Sequence, residues 1–307
     1  MRSAYLYVVV LSVWGLHPAG ARILTVGPGR TFQIPSEAAA FAGPGDTIRI
    51  LPGRYVDCAV WSVDDLTIEG AGPGAVIAEK VCRNQALFVI AGRDVTIRNL
   101  TFTGARDRVH NGAGIRAAGA DLTIQNSRFI DNEEGILAGA NPDSTITIGG
   151  STFEGNGNCI SACAHGVYVG AIALLRVEHC EFLSQHVGHH IKSRAARTEI
   201  LDNTIHDGPA GTASYLLDLP DGGNILIRGN DFEKGPGAQN RVAVAIGEEK
   251  GPPRNKTERI DILDNYFRSD FGHPSLFVLN CTRLAPRLEG NSFAGVVTPL
   301  GSACPAG

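Results

Sequence analysis

One order of apolar and polar positions recurs along the chain: an apolar residue, a spacer, a second apolar residue, a short polar stretch often holding Asn or Gly, then Phe. It occupies residues 94–102, 121–129, 145–153, 174–182, 224–232, 260–267 and 287–293, and a weaker copy ends at Ile205. The terminal positions (102, 129, 153, 182, 205, 232, 267, 293) are separated by 27, 24, 29, 23, 27, 35 and 26 residues. A period of that length predicts a solenoid of stacked coils. Alternating apolar and polar side chains predict short strands with one face turned inward, and the repeat is too short to hold a βαβ unit. The Phe of each coil is expected to stack on that of the next, with Asn and Gly at the corners.

A second strand aligns independently in segments starting at residues 112, 133, 164, 188, 214 and 241. Its fourth column is Ile115, Ile136, Val167, Ile191, Leu217 and Val244, which should point inward. The fifth column, Arg116, Leu137, Tyr168, Lys192, Asp218 and Ala245, should therefore face outward. Adjacent rungs lie about 4.8 Å apart, so Tyr168, Lys192 and Asp218 are expected to form a contiguous ladder. His190 and Arg194 are expected to flank Lys192 on that face. The second column adds Glu134, His165, His189 and Tyr215; strict alternation would bury it, but Gly166 permits a bend that brings these side chains to the strand entrance, near the ladder.

The head of the chain, with an Ala-rich stretch at 36–42 behind a Ser N-cap and an alternating strand and Pro-Gly turn at 45–55, suits the closure of a solenoid end. This grammar resembles the pectin-lyase-like proteins. The resemblance covers nearly all of residues 22–307 and implies an all-β fold: a single-stranded right-handed parallel β-helix with a short N-terminal capping helix. It implies a fold and not a reaction.

Composition narrows the setting. A formal net charge of −4 gives no general basic field for nucleic acid or an anionic membrane. Residues 1–21 follow the charge, apolar core and small-residue order of an export signal with cleavage near Ala21, so the expected location is secreted or periplasmic, with no membrane span. Seven cysteines suit that setting, paired by proximity as Cys58 with Cys82, Cys159 with Cys163 and Cys281 with Cys304, with Cys180 free and buried. No second Cys pair has zinc-ligand spacing, calcium-binding Asp clusters are not evident, and Glu134, His165 and His189 need not converge on a metal; no metal and no cofactor are expected.

The polar columns suggest chemistry on an acidic polysaccharide or other glycan. Uronate lyases and C5-epimerases need a cation for the sugar carboxylate, a base for the C5 proton and an acid. Lys192 and Arg194 could neutralise, His165 or His189 could abstract the proton, and Tyr168 could donate one. Arg116, Glu134, His190, Tyr215, Asp218 and Glu248 are the candidate substrate-binding residues. The 165–168 and 188–194 segments also resemble the catalytic coils of periplasmic mannuronan C5-epimerases, in which a His-Gly strand precedes a Ser-Arg strand by one coil; Arg194 carries over, whereas that family's Asp-Pro-His-Asp signature is absent. The alternative is a non-catalytic glycan-binding or surface-structural β-helix. A hydrolase would want two or three carboxylates converging on the scissile bond, and Asp218 alone is central, with Glu134 and Glu248 at the margins. The charged segment 247–256, which accounts for the 35-residue interval, either overhangs the site or is an idle excursion.

Overall fold

The apolar half of each short strand can be buried only against other coils, and the chain does this by winding on itself. The computed structural model, which describes residues 20–160, 162–249 and 253–304, is a parallel β-solenoid of about ten turns whose strands form three sheets of 11, 10 and 10 strands. The export signal expected over residues 1–21 lies almost wholly outside the described residues. Among those described, no helix is long and apolar enough to cross a membrane. A single hydrophobic core runs from Val26 to Val278 through all the turns.

The Phe-ending phrase supplies two of the sheets. Its apolar pair lies in the 11-stranded sheet, in register as Leu122, Ile146 and Leu175. Its aromatic end forms a second sheet, in which Phe102, Phe129, Phe153, Phe182, Ile205, Phe232, Phe267 and Phe293 occupy one column. From Phe102 to Phe182 the rings are stacked, with centroids 5.2, 4.7 and 4.5 Å apart. Isolated rings prefer offset or edge contacts, so this parallel arrangement is imposed by the coil rise.

Corners between these two sheets are held by a column of side chains that accept backbone N–H groups from the preceding coil. Leu100 N–H donates to Ser127 Oγ, Ser127 to Ser151 Oγ, Ser151 to Cys180 Sγ and Cys180 to Asn203 Oδ1. Asn203 continues to Asn230, Asn230 to Asn265 and Asn265 to Asn291, with N···O distances of 2.9, 3.0 and 3.0 Å. Each buried donor is thus paired, as a buried backbone group must be. This explains the unpaired cysteine: Cys180 occupies a rung where its neighbours have Ser and Asn. The other six cysteines form Cys58–Cys82, Cys159–Cys163 and Cys281–Cys304.

Helix is confined, among the described residues, to Pro35–Ala39. The N-cap expected at Ser36 falls instead on Ile34 and makes no side-chain cap bond. Pro35 has a fixed φ and no N–H to satisfy, so it opens the first turn, and the Ser36 N–H is taken by Asp57 Oδ2 at 2.8 Å.

Candidate functional site

The third sheet carries the polar columns. Its register aligns Ile115, Ile136, Val167, Ile191, Leu217 and Val244, all fully buried. One residue further, Arg116, Leu137, Tyr168, Lys192, Asp218 and Ala245 form the outward column, as the alternation predicts. Outward is not the same as bare, however: Asp218 is only 4% exposed and Ala245 is fully covered. Leu137 and Ala245 belong to small apolar clusters outside the main core, one on each side of the Tyr168–Lys192–Asp218 ladder. Arg116 stands two rungs before Tyr168, separated from the ladder by Leu137.

The second column also leaves the core, and glycine is what permits it. At Gly166 an added Cβ would lie 2.5 Å from the His190 carbonyl oxygen, so only glycine allows the coils to approach where the strand bends. His165 and His189 then stack with centroids 4.8 Å apart, and His189 stacks on Tyr215 at 5.0 Å. Each side chain accepts the backbone N–H of the next coil: His165 N–H donates to Glu134 Oε2, His189 N–H to His165 Nδ1 and Tyr215 N–H to His189 Nδ1, at 3.0, 3.1 and 3.1 Å.

That pattern determines the imidazoles. With Nδ1 an acceptor on both rings, the neutral proton sits on Nε2, and His189 Nε2 lies 3.4 Å from Asp218 Oδ2. Burial, reinforced by Lys192 and Arg194, pushes His165 down to about 3; burial and then the neighbouring His165 and Lys192 hold His189 well below its ordinary value. A base so weak is poorly matched to abstracting a carbon-bound proton at neutral pH. Both histidines are thus held neutral, each with its proton on Nε2.

The residue after His189 is also turned inward. His190, expected beside Lys192 on the outer face, is 1% exposed. Its Nε2 lies 2.9 Å from Asp207 Oδ1, and its ring edge meets Phe182. Lys234, also fully buried, donates to the Ala213 and Ser214 carbonyls, and burial lowers it to about 8.

Around the ladder the charges are closely matched. Lys192 Nζ lies 2.8 Å from Asp218 Oδ2 and 5.8 Å from the centre of the Tyr168 ring. Burial works against the Lys192 charge, but Asp218 and then Glu249 outweigh it and raise its proton affinity; burial also raises Asp218, against the pull of Lys192. Arg194 donates through Nε to Tyr168 Oη at 3.0 Å and through Nη1 to Asp221 Oδ1 at 2.9 Å. Glu249 Oε1 meets both cations, at 3.0 Å from Lys192 and 2.5 Å from Arg194. Tyr215 donates its hydroxyl to Glu248, and burial together with that carboxylate raises the phenol. Glu134 is 1% exposed with Oε1 unpartnered, and burial raises its carboxyl well above the ordinary range.

Sequence reasoning brought Tyr168, Lys192, Arg194, Asp218, His165, His189, Tyr215 and Glu248 to this place, and it missed Asp221 and Glu249. The signal for Glu249 was the long interval that holds it.

Comparison with known proteins places these features in context. The family model described as "Periplasmic copper-binding protein (NosD)" matches residues 45–270. No curated protein matches the chain in sequence. Among solved structures, pectate lyase Pel9A is similar, with a TM-score of 0.58 and 14% identity over 92% of this chain and 79% of that one. The pectin methylesterase from Aspergillus niger has a TM-score of 0.52 and 13% identity over 94% and 93% of the two chains. Identities this low speak to the fold alone, which is the right-handed parallel β-helix.

Proposed function

The chain belongs to the NosD family of right-handed parallel β-helix proteins, and from that premise we propose that it is an exported protein acting on an acidic, uronate-containing polysaccharide, as a lyase in the first place and a C5-epimerase in the second. The observation that carries the reading is the junction of Tyr168, Lys192 and Arg194, where a proton-bearing group and two cations meet on an outward strand face. Three disulfides and the family's periplasmic description support export. The same reading treats 1–21 as the leader and 22–307 as one domain, with Pro35–Ala39 closing its first coil, supported by the burial of Ala38 in the core.

Copper, which the family description implies, does not fit the donors described. Among the described residues no three His, Cys, Asp or Glu side chains stand close enough to hold a metal. Copper favours sulfur and imidazole ligands, but six cysteines are in disulfides, Cys180 is a buried rung, and both Nδ1 atoms of the histidine stack accept backbone N–H groups.

In the proposed reaction a sugar carboxylate faces Lys192 and Arg194, and neutralising its charge makes the C5 proton removable. The neutral Nε2–H of His189, alongside Lys192, adds a hydrogen-bond donor of the kind that polarises without titrating. Tyr168 Oη accepts from Arg194, so its own O–H is free to turn toward substrate. Negative charge arising on that oxygen falls beside two cations. Once the Tyr168 hydroxyl has given its proton to solvent, the phenolate can take the C5 proton as the C5–H electron pair forms the C4=C5 double bond and the C4–O bond breaks, and the re-formed hydroxyl returns a proton to the leaving oxygen on the same ring face. An epimerase needs a second donor on the opposite face, and the Tyr215 hydroxyl is committed to Glu248.

The test is ultraviolet absorbance of the unsaturated uronate during incubation with alginate, pectate and hyaluronan. The expected result is a rising signal, lost in Tyr168→Phe and in Arg194→Ala. Solvent deuterium at C5 without chain cleavage would select the epimerase. Binding with neither product nor exchange would move the assignment to a glycan-binding β-helix, and absence of binding across the panel would end the uronate reading.

A further inference from the structure

Lys192 and Arg194 each have a counter-ion on the solenoid itself: Asp218 for the lysine, Asp221 for the arginine. Glu249 is a third carboxylate for two cations. It comes from 57 residues beyond Lys192 and 55 beyond Arg194, and a single oxygen, Oε1, bridges both. The Glu249 side chain is 42% exposed, whereas those of Lys192 and Arg194 are 13% and 17% exposed. The cations are thus largely sheltered, and the anion lies on their solvent side, where an ion pair is worth little against water.

The segment that carries Glu249 is held in place without it. Gly247 N–H donates to the Leu219 carbonyl, Glu248 accepts the Tyr215 hydroxyl, and the Asn255 amide donates to the Arg194 and Ala195 carbonyls. Its carboxylate can therefore leave the cations by a side-chain rotation while these anchors stay in place.

We infer that Lys192 and Arg194 form a subsite for one carboxylate, that Glu249 fills this subsite as an internal stand-in, and that an incoming uronate carboxylate binds by displacing it. This rests on the uronate reading above for the identity of the ligand, but the stand-in role of Glu249 can be tested apart from it. Two consequences follow from the geometry. Uncharged or methyl-esterified sugars cannot compete with Glu249, so the stand-in excludes them. Affinity for a charged sugar is lowered by the fraction of time that Glu249 holds the subsite.

The experiment uses the purified, disulfide-intact chain and its Glu249→Gln and Glu249→Ala variants. Calorimetric titration with oligogalacturonate and oligoalginate should show about ten-fold tighter binding in Glu249→Gln, the factor expected if the stand-in is bound nine-tenths of the time. In parallel, sodium acetate or glucuronate should raise the melting temperature of Glu249→Ala more than sodium chloride at equal ionic strength, and not that of Lys192→Gln/Glu249→Ala. Equal oligouronate affinity in the parent and Glu249→Gln, or no specific rescue by acetate and glucuronate, would overturn the stand-in role. Rescue by small carboxylates with no oligouronate bound by any variant would keep the carboxylate subsite and remove the uronate as its ligand.

Discussion

The rings of His165 and His189 lie nearly parallel, 14° apart, and the backbone N–H of His189 donates to Nδ1 of His165. One coil thus uses the side chain of the previous coil as a hydrogen-bond acceptor, and the proton of each imidazole is consigned to Nε2. The arrangement holds only while both rings are neutral, because an imidazolium has no acceptor atom.

Acid should therefore destabilise the protein through these histidines. Where a folded-state pKa is depressed, as at His165 to about 3, the stabilisation is present above the ordinary histidine value and is lost as pH falls toward the folded one. Between about pH 6.5 and 4.5, His165 alone should contribute a loss of about 2 kcal/mol. His165→Gln keeps an acceptor and does not titrate, so its urea midpoint should fall less over this range. Parallel losses in the two proteins would contradict the assignment.

Glu134 should show the opposite slope. Its folded value is raised, so its contribution is fully present below the ordinary glutamate value and is lost as pH rises through the raised one. Glu134→Gln is isosteric with the protonated acid and should melt higher than the parent at pH 8, with the gap closing toward pH 4. A gap independent of pH would mean that the carboxyl is ionised in the fold.

Asn230 links three coils: its Oδ1 accepts the Asn203 N–H, and its amide reaches the Ile200 carbonyl and Asn265 Oδ1. Asn230→Ala leaves buried donors and acceptors unpaired and should cost about 2–4 kcal/mol in denaturant unfolding. Asn230→Ser should cost less, since Ser127 and Ser151 serve the same position in earlier coils. Equal costs for Ala and Ser would show that the side-chain oxygen contributes nothing.

Cys180 should be inert in the native protein. It is 1% exposed, burial pushes its thiol up to about 12, and the reactive species is the thiolate. A maleimide at pH 8 should label no cysteine natively and one after unfolding without reductant. Labelling of the native chain would mean that this rung opens far more readily than its neighbours.

The solenoid was legible because its signal is repeated: a Phe column and an apolar pair recur at a nearly constant interval, and parallel pairing turns constant intervals into shared register. For the same reason the ladder Tyr168–Lys192–Asp218 could be read by alignment. His190 could not, since strict alternation puts it on the face of Lys192, whereas His190 and Ile191 are successive buried residues. The tautomers of His165 and His189 were out of reach because they depend on backbone N–H groups one coil away. Glu249 lies on the one segment that departs from the repeat, so periodicity carried no information about where its side chain goes.

The coil that carries Glu249 is the longest interval in the repeat, yet the Asn230–Asn265 bond that spans it is 3.0 Å, the same as that from Asn265 to Asn291. The corners register only each other, and chain inserted between them passes unnoticed by the scaffold. The chain between Gly247 and Asn255, both of which are bonded to the solenoid, is in this sense a cassette: it can be lengthened, shortened or exchanged while those two anchors are kept. Selectivity in such a protein can drift, or be grafted, at a tempo independent of stability, with the solenoid serving as a fixed bench on which the fitting is changed.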